Sequence, residues 1–259
     1  MKNKEGFTAF NAKLVEYEEA SSKNRFIKKL PIIVKIKLNC IGGKYKEFIG
    51  NESFDNAMIE TSKELVKITK AKCAHVYMDR ITLLLYDVDG ERDLYYGGYV
   101  SRIISSMSSH ATRLFNKFYH DADEKDFISL CDAYNVPDLE EVINVFLLDE
   151  IKVNKKSVYF LYTKHLSPTN FFTMSNKIAK EELLENGICW YDCTHHYKRG
   201  TYIMRRETTK KMIEECILNG EHYKKHDIGA FELPPLVKIK NKVSVLVFGE
   251  DEILEDINK

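Results

Sequence analysis

The pattern of apolar and polar positions divides the chain into short strands and amphipathic helices. Residues 31–38 (PIIVKIKL) form a β-branched run that follows a basic, polar stretch and precedes Gly42-Gly43. A run this short is too brief for a core helix and predicts a buried strand. From Ser53, a good N-cap, apolar residues recur at Phe54, Ala57, Met58, Thr61, Leu65 and Ile68. That spacing marks one helical face. CAHVY (73–77) and ITLLLY (81–86) then read as two strands joined through Met78-Asp79-Arg80, with Asp79 at the tip of the hairpin.

The segment from Tyr99 to Phe118 carries Val100, Ile103, Ile104, Met107, Ala111, Leu114, Phe115 and Phe118 on one stripe, the clearest helix in the chain. Its other side presents Ser101, Arg102, Ser105, Ser106 and Ser109. A strand near 127–136 precedes Pro137, a suitable first helical residue, and a helix with Leu139, Val142, Ile143, Phe146 and Leu147 inward. Asn176 to Glu185 predicts a further helix, closed by Asn186-Gly187. Strands near 200–206 and 236–248 flank a helix at 207–219.

The order strand, helix, hairpin, helix, strand describes an α+β fold of the polymerase-palm type. This is a ferredoxin-like split βαβ arrangement, an antiparallel sheet with helices on one face. The expected organisation is an N-terminal helical extension (1–29), a palm-like domain (30–205) and a C-terminal helix and strand addition (206–259). Palms place acidic residues side by side at the end of the first strand and at the hairpin tip, where two divalent ions bridge a nucleotide triphosphate.

Composition narrows the function classes. Lys plus Arg equals Asp plus Glu at 39 each, so net charge supplies no footprint for nucleic acid or anionic membrane, and any RNA contact must come from a local patch. No apolar run approaches the roughly 18 residues of a spanning helix. The six cysteines are scattered behind a start that has no signal-peptide core. The expectation is a cytoplasmic protein with reduced thiols and no membrane association. Richness in Lys, Ile, Asn and Tyr suggests a bacterial or phage genome.

Several segments resemble the tRNA-His guanylyltransferase family, whose members add nucleotides to RNA in the 3′-to-5′ direction. PIIVKI (31–36) is similar to the family's first palm strand and FDNAMIETSKELVKI (54–68) to its first helix. Met78-Asp79-Arg80-Ile81 falls where the family has Ser-Asp-Glu-Ile. GGYVSRIISSMSSHATRLFN (97–116) resembles its triphosphate-facing helix, and LLENGICWYDCTHHYKRG (183–200) its Gly-Ile-Asn-Trp region followed by Lys-Arg-Gly. The resemblance covers roughly residues 30–205, and it rests on the order and spacing of five segments together.

The departures from that family matter more. Its first strand ends in Asp-Gly-Arg, with the Asp a metal ligand. Here Ile36 is followed by Lys37, Leu38 and Asn39, and no alignment puts a carboxylate at that place. Asp79 retains the hairpin acid, but the neighbouring Glu is Arg80. The family's Trp-Arg-Gln plus acid falls on Leu148, Asp149, Glu150, Ile151 and Lys152, and its Phe-Asp-Ala-Arg on Ser129, Leu130, Cys131 and Asp132. An ammonium in place of a carboxylate removes an oxygen ligand and adds positive charge where Mg²⁺ would bind. Asp79 is thus the remnant of a catalytic set, and Lys37 or Arg80 is expected to pair with it within about 6 Å.

Other groupings carry two readings each. Arg102, Ser105, Ser106 and Ser109 suit nucleotide phosphate, where the resemblance implies such contacts, or form a solvated helix face. Lys198, Arg199, Arg205 and Arg206, with Lys210, Lys211 and the rings of Tyr197 and Tyr202, suit RNA or form a solvated basic face. Cys189, Cys193, His195 and His196 lack a standard zinc spacing, and Trp190 and Tyr191 between them read as a packing corner.

The function these observations imply is a degenerate guanylyltransferase-like protein, catalytically inactive, that binds nucleotide, tRNA-like RNA or protein partners and forms homo-oligomers as family members do. No cofactor is expected. The alternative is an active nucleotidyltransferase with a rebuilt Mg²⁺ site, using Asp79 with Asp87, Asp89 or a carboxylate from another subunit.

Overall fold

The computed structural model describes residues 24–41, 48–87, 93–120, 127–166, 171, 174–207 and 226–255. Six strands form one antiparallel sheet: β1 (Ile32–Cys40), β2 (Cys73–Tyr77), β3 (Arg80–Leu85), β4 (Phe127–Asn135), β5 (Thr201–Glu207) and β6 (His226–Phe231). They lie in the order β4-β1-β3-β2-β5-β6. Pairing of β1 with β3 sets Lys37 opposite Arg80 and Lys35 opposite Thr82. Since side chains alternate across a sheet, all four project from one face while Val34, Ile36, Ile81 and Leu83 project from the other.

That second set is covered by α1 (Glu52–Thr69) and α2 (Val100–Phe118). Phe54, Met58 and Leu65 from α1 and Ile103, Met107 and Phe115 from α2 complete a core that contains Ile32, Val34, Ile36 and Leu38 of β1. Helix α1 begins earlier than Ser53 predicts, because Asn51 is the cap. Its side chain accepts from Ser53 N at 2.9 Å and Phe54 N at 3.4 Å, satisfying donors that the first turn leaves open.

The opposite face is also covered, by α3 (Leu139–His165) and by the chain after β6. Val142, Ile143 and Phe146 of α3 pack with Ile33, Leu84, Tyr202 and Met204 of the sheet and with Leu233, Leu236, Ile239, Val245 and Leu246. The expected strand at 236–248 is not one. Leu236–Lys238 forms a 3₁₀ turn and Ser244–Phe248 a π-helical turn, while the strand lies earlier, at β6. Its β-branched composition favours a strand, but burial against α3 decides the outcome. Glu150 fixes the arrangement by accepting from Leu236 N at 3.1 Å and from the Tyr202 hydroxyl at 3.1 Å.

Helix α3 runs 18 residues beyond the Leu147 that marks the end of the expected apolar stripe. Asp138 caps it, accepting from Glu141 N at 2.8 Å. Past its midpoint it packs against α4 (Asn176–Glu185) and the corner around Trp190, whose indole donates to Ser157 Oγ at 3.0 Å. The helix expected at 207–219, residues 1–23 of the N-terminal extension, the Gly42-Gly43 turn and Lys210, Lys211 and Asp89 lie outside the described residues; Glu207 itself ends β5.

Candidate functional site

Met78 and Asp79 form the two-residue turn between β2 and β3, and Met78 takes a left-handed φ of 47° to close it. The Asp79 carbonyl accepts from Leu38 N at 2.8 Å, which ties the turn to the end of β1. A hairpin tip ordinarily points into water. This one is 3% exposed, because Val153 of α3 packs directly on Tyr77 and Met78.

Burying a carboxylate calls for a counter-charge. Arg80 Nε stands 3.8 Å from Asp79 Oδ1, an ion-pair distance within the expected reach. It is too long for a hydrogen bond, and Arg80 Nε is a buried donor without an acceptor. A lysine of α3 joins this pair. The half-buried Lys156 ammonium is held below the usual lysine range by burial and by the positive charges of Arg80, Lys37 and Lys152, while Asp79 pulls the other way. Like charges held together near a protein surface repel, so crowding of this kind is costly.

One turn earlier on the same stripe of α3, Asp149 plays a different part. It is 1% exposed and accepts from Thr82 Oγ1 at 2.7 Å, Tyr77 OH at 3.3 Å and Lys35 Nζ at 3.3 Å. These three donors satisfy it and lock α3 across β1, β2 and β3. From Asp149 the helical spacing carries on to Lys156, which feels the charge of Lys37, while Lys152 between them is exposed. The sequence reading misses Lys156 altogether. The signal that finds it is the phase Val142, Phe146, Asp149, Val153, Ser157, which continues the buried stripe through a polar residue.

A Mg²⁺ pair needs several oxygen ligands held close together. Here the first-strand position supplies Lys37, the residue after the turn supplies Arg80, and the covering helix supplies two more lysines. Among the described residues no group of three or more His, Cys, Asp or Glu side chains is placed to share a metal ion. Asp87 lies eight residues from Asp79 at the far end of β3, on the order of 25 Å along an extended chain, and cannot join it in one site of the same chain. The donor set does not fit the two-metal chemistry.

The remaining site candidates fall in other places. Arg102, Ser105, Ser106 and Ser109 share the outward side of α2, on the sheet face opposite Lys37 and Arg80. Arg102 lies over the Tyr99 ring at 4.5 Å, Ser105 Oγ donates to the Arg102 carbonyl at 3.3 Å, and Ser106 Oγ meets Tyr95 OH at 3.4 Å. The structure does not bring them to Asp79.

The basic stretch is divided. Helix α5 (His195–Arg199) presents Lys198, whose ammonium donates to the Tyr191 carbonyl at 2.5 Å, and the Arg199 carbonyl accepts from the His75 ring at 2.8 Å. Arg205 is exposed on β5. Arg206 pairs with Glu252 at 3.0 Å and Asp251 at 3.5 Å and lies over the Phe231 ring, so it anchors the C-terminal segment. Tyr202 is buried against His75 and hydrogen-bonded to Glu150, which corrects the expectation that its ring could stack on bases. Tyr197 donates to the Ser157 carbonyl at 3.2 Å.

His195 and His196 face Leu233 O at 3.1 Å and Thr201 Oγ1 at 2.8 Å, and Trp190 is buried, so this region is a packing corner. Burial pulls His196 down to about 4 and pushes the neighbouring Asp55 carboxyl, 3.7 Å away, up to about 7. Burial likewise pulls His75 down to about 4.

No protein-family model matches this chain, and no curated protein matches it. Solved structures do. The chain superposes on a bacterial tRNA(His) guanylyltransferase-like protein in complex with ATP with a TM-score of 0.74 and 20% identity, over 92% of this chain and 98% of that one. A bacterial tRNA(His) guanylyltransferase-like protein in complex with GTP matches with a TM-score of 0.68 and 20% identity, over 89% and 94%. The tRNA(His) guanylyltransferase of Saccharomyces cerevisiae matches with a TM-score of 0.56 and 18% identity, over 70% and 88%. No helix among the described residues is long and apolar enough to cross a membrane. The six-stranded antiparallel sheet, the buried turn at Asp79 and these superpositions together show that the chain has the palm-type fold of the tRNA(His) guanylyltransferase-like nucleotidyltransferases.

Proposed function

We propose that this protein binds nucleotide or tRNA-like RNA on its palm and does not carry out metal-dependent nucleotidyl transfer. The observation that carries the reading is the environment of Asp79. The carboxylate at the palm turn is countered by Arg80 at 3.8 Å, with Lys37 across the strand pair, where two-metal chemistry needs further carboxylates. Support for nucleotide as ligand comes from the fold. The structures that cover most of this chain hold ATP and GTP, and fold alone leaves the activity to the site.

The test is direct. The full chain is incubated with Mg²⁺, labelled GTP or ATP, and tRNA(His), beside an Asp79→Ala variant, and both incorporation and nucleotide retention are read. The reading expects nucleotide or RNA retained without incorporation. Metal-dependent incorporation that disappears in the variant establishes the active alternative instead.

A further inference from the structure

We propose that Lys37, Arg80, Lys152 and Lys156 form a metal-free site for a triphosphate chain, with side-chain cations standing where a palm would use divalent ions. The inference rests on the nucleotide-binding reading and names how the phosphates are held. Three elements deliver the cations to one place. Strand β1 supplies Lys37 directly opposite Arg80 of β3, and α3 is pressed onto the turn by Val153 against Tyr77 and Met78. Lys152 and Lys156 flank Val153 on the side where Asp149, on the same helix, grips Lys35 of β1.

The cluster has features that a solvated basic face does not show. Arg80 Nε is buried and makes no hydrogen bond, so its pairing with Asp79 is through charge alone. Lys156 is half-buried among the charges of Lys37, Arg80 and Lys152, with Asp79 as the acidic group acting on it. Nearby Asp149 does not quench the cluster, since it is taken up by Lys35, Thr82 and Tyr77. A polyanion arriving here relieves the repulsion among the lysines, and each ammonium gains charge-assisted hydrogen bonds to phosphate oxygens. The Arg80 side chain, about one third exposed as a whole, offers its guanidinium to the same oxygens. No bond is made or broken.

Shared chemistry leaves two sources for the triphosphate, a free nucleotide or the 5′ end of an RNA. Calorimetric titrations of the full chain with GTP, inorganic tripolyphosphate and a short 5′-triphosphorylated RNA, each in EDTA and in Mg²⁺, test the site. GTP and tripolyphosphate are expected to bind in EDTA with no gain on adding Mg²⁺. Comparing the RNA with its 5′-hydroxyl form shows whether the RNA end is also taken. Lys152→Glu, at an exposed position, and Lys156→Gln should each weaken tripolyphosphate about tenfold or more, the size of one charge-assisted hydrogen bond. Lys177→Glu on α4 should leave it unchanged.

GTP bound only with Mg²⁺, or in EDTA with tripolyphosphate excluded and the α3 variants silent, overturns this site and leaves nucleotide binding intact. No binding of GTP or RNA under either condition overturns the broader reading as well.

Discussion

Asp149 shows how one side chain can be misread and still be decisive. In sequence it looks like a charge reversal in a lost motif, whereas in the fold it is a fully satisfied anchor for α3. Replacing it with Ala leaves Lys35, Thr82 and Tyr77 without their acceptor. Urea unfolding should show a loss of about 3–5 kcal/mol, the usual cost of breaking a buried pair. A loss below about 1 kcal/mol would mean that the anchor does not hold the helix.

Asp55 carries a second residue-scale prediction. Its carboxyl rises from 3.8 to about 7 because it is buried, despite a place in the first turn of α1 that favours the anion. The native state therefore keeps a proton that the unfolded chain releases, and stability from this group is lost as pH rises from about 4 to about 7. Asp55→Asn should match the parent near pH 3.5 and exceed it increasingly up to pH 7, with a ceiling of about 4 kcal/mol that residual exposure reduces. Melting temperatures across pH check this, and a gap independent of pH contradicts it. His196 works in the other direction, losing stability as pH falls from 6.5 toward 4.

At the scale of elements, strands β1 to β5 and the helices α1, α2 and α4 are legible because each has a clean period, while β6 lies ahead of the segment read as the last strand. Two elements are not. Helix α3 continues past Leu147 through Asp149, Lys152 and Lys156, whose polarity breaks the apolar count although the helical phase persists. The segment 236–248 has strand composition, but contacts distant in sequence set its shape: Glu150 on Leu236 and Arg206 on Glu252. A chain ended after Phe231 would uncover Tyr202, Met204 and Phe146. It should lose its cooperative thermal transition, and a retained sharp transition would show the segment to be dispensable.

For the molecule as a whole, zero net charge conceals a strong local asymmetry. Lys37, Arg80 and Lys156 come from three elements and gather around one buried carboxylate, with Lys152 beside Lys156 on the same helix. The cations at Lys37 and Arg80 were legible in sequence. The contribution of α3 was not, because it depends on a helix crossing the sheet about 70 residues later in the chain. The measurement that bears most directly on this account is a Mn²⁺ titration of the full chain followed by electron paramagnetic resonance, with Asp79→Asn alongside. Identical, weak Mn²⁺ uptake by both proteins is the predicted result, since one carboxylate ringed by cations cannot hold a hard divalent ion; a tight site lost with Asp79 would contradict it.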